Sequence, residues 1–266
     1  MNTALRHHNT RRCNVSCLLA TASLLACAAA RADDSPSVTP YRPSVSTPAA
    51  LSAPGWLEIE AGAVSSRDRD ASRSASLQYT FKLAFTPDWG VRLGGDALVR
   101  QTPATGPATQ GGGDTTVVLK HRMELNDDQA LGLELGTKFP TAGKVRGSGH
   151  RDTGLNFIYS ADFAQGWHTD INLLATRIGG VSAGTGRWQP GWAGGLSRNL
   201  SAEWGAVVEL SGTRQRGSPG TTLALAAMSY AVSKGLSLDF GASKGLSAAS
   251  GGWSAFAGLT VLATRF

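Results

Sequence analysis

Residues 76–85 read SLQYTFKLAF and alternate strictly between two kinds of side chain. Large apolar residues occupy one face of an extended chain, at Leu77, Tyr79, Phe81, Leu83 and Phe85. The even positions between them are polar or small. Because successive side chains of a β-strand point to opposite faces, this period of two predicts a strand with one apolar and one polar face. A water-soluble sandwich contains such strands too, so this stretch alone leaves the class of β-protein open.

The same pattern recurs along the rest of the chain, which decides the class. We identify about twelve such segments, as expected for a mid-sized barrel, beginning near residues 56, 74, 90, 113, 129, 151, 167, 187, 203, 220, 235 and 253. Short turns alternate with longer polar or Gly-rich loops, which lie near residues 67–73, 102–112, 140–150, 179–186, 215–219 and 245–252. This arrangement predicts an all-β fold over residues 55–266: a transmembrane up-and-down antiparallel β-barrel of about twelve strands.

The polar faces are unusually charged, and in a barrel they would line a wet lumen. The lumen-lining candidates are Glu58, Glu60, Lys82, Arg92, Asp96, Arg100, Lys120, Arg122, Glu134, Lys138, Asp170, Glu209 and Asp239. In a sandwich these side chains would face water instead. Tryptophans at the ends of the predicted strands favour the barrel, because aromatic girdles mark the two interfaces of a membrane.

The first 32 residues predict a secretory signal peptide. A basic stretch without acids precedes a short apolar run, and small residues follow, so we expect cleavage after about Ala32. Lipid attachment at Cys27 is the alternative. The predicted leader contains all three cysteines and four arginines, so Lys plus Arg falls from 25 to 21 against 19 acids. The exported chain would then have neither disulfides nor thiolate metal sites, and its charge gives no reason to expect nucleic-acid binding.

Residues 33–54 are rich in Pro, Ser and Thr and have no periodicity. Too few large apolar residues are present to order them, so we expect a flexible, disordered periplasmic arm before the first strand. The alternative is that they form part of a plug.

Catalytic and metal-binding chemistry finds little support in the sequence. His121 and His168 lack a neighbouring serine, so we expect no catalytic residues and no enzyme activity. His168, Asp170 and Asn172 share a face and could imitate a metal site, but a hydrogen-bonded lumen network is the simpler interpretation. We expect no metal and no cofactor. Loop residues Lys144, Arg146 and Arg151 are candidates for binding anions such as lipopolysaccharide phosphates.

Several motifs occur in the order found in a known family. They are GDTTVVLK at 113–120, LELGTKFPT at 133–141, GSG at 147–149 followed by DTGL at 152–155, and WHTDIN at 167–172. Together they resemble the outer-membrane transporter family named for the meta-pathway of phenol degradation, over most of residues 55–266. The chain departs from the family pattern at Ala142 and Leu174, where glycine is common. The resemblance implies a channel-like outer-membrane protein for aromatic or other hydrophobic compounds.

We therefore expect a bacterial outer-membrane, porin-like barrel for the passive passage of small solutes. Its expected partners are outer-membrane lipid and lipopolysaccharide, a small-molecule solute, and the assembly machinery that would read the terminal Phe266. A closed barrel that binds lipopolysaccharide or a partner through its loops is the alternative, and a barrel lipid hydrolase is a minor one.

Overall fold

A computed structural model describes residues 35–142 and 147–266. The predicted leader, Lys144 and Arg146 lie outside the described residues. Residues Pro36–Phe266 form one compact unit. The described residues include no helix of sufficient length and apolar character to cross a membrane.

Twelve strands close into an antiparallel barrel, and one short strand, β4, extends the sheet at the edge of β3. The strands are β1 (Trp56–Arg67), β2 (Arg73–Ala84), β3 (Trp89–Thr102), β4 (Thr109–Gly111), β5 (Thr115–Asn126), β6 (Gln129–Phe139), β7 (Asp152–Ala164), β8 (Trp167–Arg177), β9 (Trp188–Asn199), β10 (Trp204–Gln215), β11 (Ser218–Ser233), β12 (Leu236–Gly245) and β13 (Trp253–Arg265). Pairing of β1 with β13 closes the cylinder. The predicted all-β, twelve-stranded up-and-down barrel is confirmed.

Connections alternate between the two ends of the barrel largely as expected. We call the end with the turns at 85–88, 127–128, 165–166, 200–203 and 234–235 the short-turn end, and the opposite end the long-loop end. One predicted long loop, near 215–219, is instead a turn of residues 216–217 in which Gly217 has a φ of 78°. Glycine adopts this left-handed conformation without a Cβ penalty, so two long strands meet there directly.

The outward face of the barrel is apolar. Leu77, Leu135, Phe157 and Leu173 are 43–58% exposed, although each lies in the middle of a strand. Tryptophans begin four strands at the short-turn end and two at the long-loop end. A continuous apolar surface of this kind is rare on water-soluble monomers and is typical of a surface that contacts lipid.

A β-bulge in β3 overturns one lumen assignment. Leu77 pairs with Leu98 and Gln78 with Asp96, so Ala97 is an extra residue in β3. An added residue reverses the faces that follow it. Val99 and Gln101 therefore face the lumen, whereas Arg100 is exposed on the outward face. The prediction that Arg100 lines the lumen is wrong.

The N-terminal arm gives the second correction. Residues 36–54 lie inside the barrel, where wall side chains bind their backbone. The arm begins at the short-turn end, where the Val38 N–H donates to the carbonyl oxygen of Lys234 at 2.8 Å, and returns there, where Pro54 bridges to Ala84. The expectation of a flexible periplasmic arm is wrong for these residues. The chain lacks apolar groups to order the arm, but polar wall residues supply hydrogen bonds instead.

Candidate functional site in the barrel lumen

An ion cluster on β1 and β2 holds the start of the arm. Lys82 Nζ lies 2.6 Å from a carboxylate oxygen of each of Glu58 and Glu60, and all three side chains are at most 3% exposed. Glu58 also accepts the Thr39 N–H at 3.0 Å, and Glu60 accepts the Tyr41 N–H at 2.6 Å. Buried charges are tolerated only when they are paired and hydrogen-bonded, and the arm completes the pairing here.

Tyr41 is the central side chain of the arm. Its ring contacts two ammonium groups, with the ring centroid 4.0 Å from Lys82 Nζ and 4.2 Å from Lys120 Nζ. Its hydroxyl donates to the carbonyl oxygen of Ala50 at 2.7 Å and accepts from Lys120 Nζ at 3.0 Å. Burial raises the pKa of this hydroxyl, so it stays protonated and keeps its donor role. Tyr41 thereby fixes both halves of the arm to the wall through cation–π contacts and hydrogen bonds.

Glu134 on β6 is the centre of a second cluster. It lies 3.3 Å from Arg92 Nη2 and 3.5 Å from Lys120 Nζ, and it accepts a hydrogen bond from Asn156 Nδ2 at 3.1 Å. Lys120 also donates to the carbonyl oxygen of Pro48. This cluster carries its own counter-ions and contacts the second half of the arm.

Glu209 on β10 binds the middle of the arm, at Val45 and Ser46. Its carboxylate accepts the N–H groups of Val45 and Ser46 at 3.1 and 2.7 Å, and the Ser46 hydroxyl at 2.6 Å. Three charge-assisted hydrogen bonds therefore converge on one buried carboxylate.

Further wall residues bind the arm on both sides of Val45 and Ser46. Arg42 pairs with Asp239 at 3.2 Å. Asn172 accepts the Thr47 N–H at 2.6 Å and donates to its carbonyl at 3.0 Å, and Ser160 accepts the Ala49 N–H at 2.7 Å. The three residues of the predicted row therefore have different contacts: Asn172 binds the arm, whereas His168 and Asp170 contact each other.

At the short-turn end, Asp170 accepts hydrogen bonds from Ser160 at 2.5 Å and from His168 at 3.1 Å. His168 also contacts Asp162 at 2.8 Å, while His121 stacks on Trp89. Arg122 pairs with the exposed Glu124 at 2.9 Å, close to the same end.

At the long-loop end, Lys138 lies 2.6 Å from Asp152 and 3.5 Å from Asp114. The exposed Arg151, the described member of the predicted anion-binding trio, lies over the Phe139 ring at 5.0 Å.

The lumen beyond the arm contains a cavity of about 820 Å³. Arm residues 41–45 and 47 form its floor, and it extends toward the long-loop end. Its polar wall includes Gln78, Arg92, Asp96, Asp114 and Lys138. Its apolar wall includes Val64, Val99, Leu223, Leu225 and Phe256. We call this space the vestibule.

Sequence reasoning missed two parts of this site. Tyr41 and Arg42 had no signal in the sequence, because a short polar segment does not indicate where it docks. The apolar lumen wall on β11 and β13 was missed because those strands carry small residues on both faces. Phe256 and Leu225 stand among alanines and glycines, and register there depends on pairing with β12.

Comparisons with known proteins identify the fold. No family model and no curated protein match the chain. An outer membrane channel, COG4313, from Pseudomonas putida F1 matches with a TM-score of 0.64 and 14% identity over 84% of this chain and 99% of that one. KdgM porin matches with a TM-score of 0.55 and 8% identity over 77% and 98%. The CymD monoaromatic hydrocarbon channel matches with a TM-score of 0.50 and 10% identity over 80% and 89%. These structural matches show a shared barrel fold, and at identities this low they show the fold alone.

Proposed function

We propose that the protein is an outer-membrane channel for the passive passage of small, partly apolar solutes, with residues 36–54 as its internal plug. The observation that carries this proposal is the vestibule: a lumen cavity of about 820 Å³ inside a closed barrel with an apolar outer surface. Cavities of this size hold one small organic molecule. The expected export leader and the channels of similar fold support an outer-membrane location with the short turns in the periplasm.

Passage through the lumen requires the arm to move. Between the vestibule and the short-turn end, arm residues are hydrogen-bonded to β1, β2, β5, β7, β8, β10 and β12. These bonds are between polar groups that water can replace, whereas withdrawal would also expose the buried Tyr41 ring and Ala49, which packs against Ala130 and Ile158. The net cost of exchanging such bonds with water is far below their strength in isolation.

The test is single-channel current through the refolded protein in a planar bilayer, comparing residues 33–266 with residues 55–266. We expect small currents from the longer chain and a several-fold rise without the arm. A second open-lumen variant, Tyr41→Ala with Glu209→Gln, keeps the chain length and guards against misfolding of the truncated barrel. Heat-modifiable electrophoretic mobility shows that each variant has folded.

A closed barrel that acts through its loops is the second candidate. The observation that favours it is the number of arm contacts, with six backbone N–H groups, at Thr39, Tyr41, Val45, Ser46, Thr47 and Ala49, bound by wall side chains. A folded barrel that stays silent both with and without the arm would contradict the channel and favour this candidate.

A further inference from the structure

The charges that line the vestibule are unequally paired. Arg42 pairs with Asp239, Arg92 with Glu134, and Lys138 with Asp114 and Asp152. Each of these three cations, which line the vestibule in the described part of the chain, therefore already has a carboxylate from the protein. An incoming anion would have to compete with these internal partners.

Asp96 differs from all of them. Its half-buried side chain lines the vestibule, yet among the residues that the structure describes its carboxylate has neither a hydrogen bond nor an ion pair. A carboxylate in a partly enclosed site favours a positive partner strongly, because the surrounding protein screens charge less than bulk water does.

Local backbone features place this carboxylate. The Ala97 bulge immediately follows Asp96 and allows Val99 to face the lumen beside it. Gly113 leaves room for the side chain, since a Cβ at that position would lie 2.8 Å from Asp96 Cβ. Bulges recur where a strand must aim a side chain into a site.

The apolar wall lies in the same cavity. Val64 on β1 pairs directly with Phe256 on β13, and both line the vestibule. Leu223 and Leu225 on β11 continue this wall. Hydrated ions gain nothing from contact with such a surface, whereas burial of an aromatic or aliphatic group against it is favourable.

We propose that the vestibule binds amphiphilic organic monocations, with the ammonium group at Asp96 and the apolar body against Phe256, Leu225 and Val64. This deepens the proposed channel function and rests on it for the claim that bound solutes go on to pass. Neutral analogues gain only the apolar contact. Anionic analogues gain that contact and meet an unneutralised carboxylate.

The test is calorimetric titration of the refolded protein with three ligands of nearly equal shape: benzylamine, benzyl alcohol and phenylacetate, at pH 7. We expect benzylamine to bind most tightly. Asp96→Asn should weaken benzylamine binding roughly 10- to 100-fold, the value of a hydrogen bond to a charged group, and leave benzyl alcohol unchanged. Phe256→Ala should weaken both ligands.

The matched control is Asp127→Asn, which removes a carboxylate from an exposed turn at the opposite end. It should leave all three affinities unchanged. Equal binding of the three ligands, or a preference for benzylamine that survives Asp96→Asn, would overturn the proposal, as would the absence of binding.

Bilayer current separates this proposal from the channel function. A barrel that conducts but shows no Asp96-dependent preference for benzylamine would contradict the cation site and remain consistent with the channel function. A barrel that binds benzylamine through Asp96 but carries no current after removal of the arm would support the cation site and contradict the channel function.

Discussion

The two halves of the lumen are lined by similar residues but differ in how their charged side chains are paired. Toward the short-turn end, Glu58, Lys82 and Glu60 are buried and bound both to one another and to the arm. Beyond the arm, Asp96 lines an open cavity that also has an apolar wall, and its carboxylate has no partner among the described residues. Polar clusters whose charges are paired rigidify a structure, whereas a carboxylate with no such partner among the described residues is available to a ligand in the cavity. The comparison separates a part of the lumen built for closure from a part open to a ligand.

Lys82→Met should have the largest effect on the closed half. It leaves Glu58 and Glu60 buried without their cation, so we expect the free energy of unfolding to fall by about 3–5 kcal/mol. Urea unfolding in lipid vesicles, followed by tryptophan fluorescence, measures this. A loss near zero would mean that water already screens the cluster and that the contrast between the halves is smaller than inferred.

Tyr41→Ala should release the arm while the barrel remains folded. Removing a buried aromatic ring costs about 3 kcal/mol or more, and here the loss falls on docking of the arm. Limited proteolysis should cut residues 36–54 in this variant, and current should rise. Tyr41→Phe is the control: it keeps both cation–π contacts and loses only the hydroxyl bonds, so its effect should be about 1 kcal/mol. Equal effects of the two variants would assign the docking to the hydroxyl alone.

Glu209→Gln should loosen the middle of the arm, at the boundary between the two halves. Three charge-assisted bonds become neutral or are lost, which weakens docking by about 1–2 kcal/mol. Channel openings should become more frequent, with barrel stability nearly unchanged. Glu203→Gln, in the exposed turn between β9 and β10, is the matched control and should leave the openings as they are.

Arg100→Gln should have the smallest effect, because the bulge at Ala97 places Arg100 outside the lumen. We expect a change below about 0.5 kcal/mol in stability, typical of surface substitutions, and unchanged ion selectivity. Altered selectivity would place Arg100 in the lumen and contradict the register of β3 beyond Ala97.

The barrel itself could be predicted because its strands repeat one simple pattern. Alternation across Ser76–Phe85 is unambiguous, and predicted strand starts such as 129, 167 and 253 coincide with the structure. A lipid-facing surface imposes an apolar residue at every second position, and that constraint is local in sequence.

The site could be predicted only in part. Charged wall residues such as Glu60 and Lys82 stand out at polar positions, but the Ala97 bulge has no local sequence signal, and Arg100 was misplaced as a result. Residues 36–54 carry no periodicity, because their order depends on hydrogen bonds from distant strands. The bond between Arg42 and Asp239 spans 197 residues.

The arm also bears on the order in which the barrel assembles. Its bonds to Glu58 and Glu60 span 19 residues, and that to Lys82 spans 43, so they link neighbouring parts of the chain. Contacts between residues close in sequence form early because the chain loses little entropy in closing short loops. The arm can therefore dock on the β1–β2 hairpin before β13 arrives to seal the cylinder. The remaining strands would then curl around an occupied centre, so that the buried charges meet their partners before water is displaced from them.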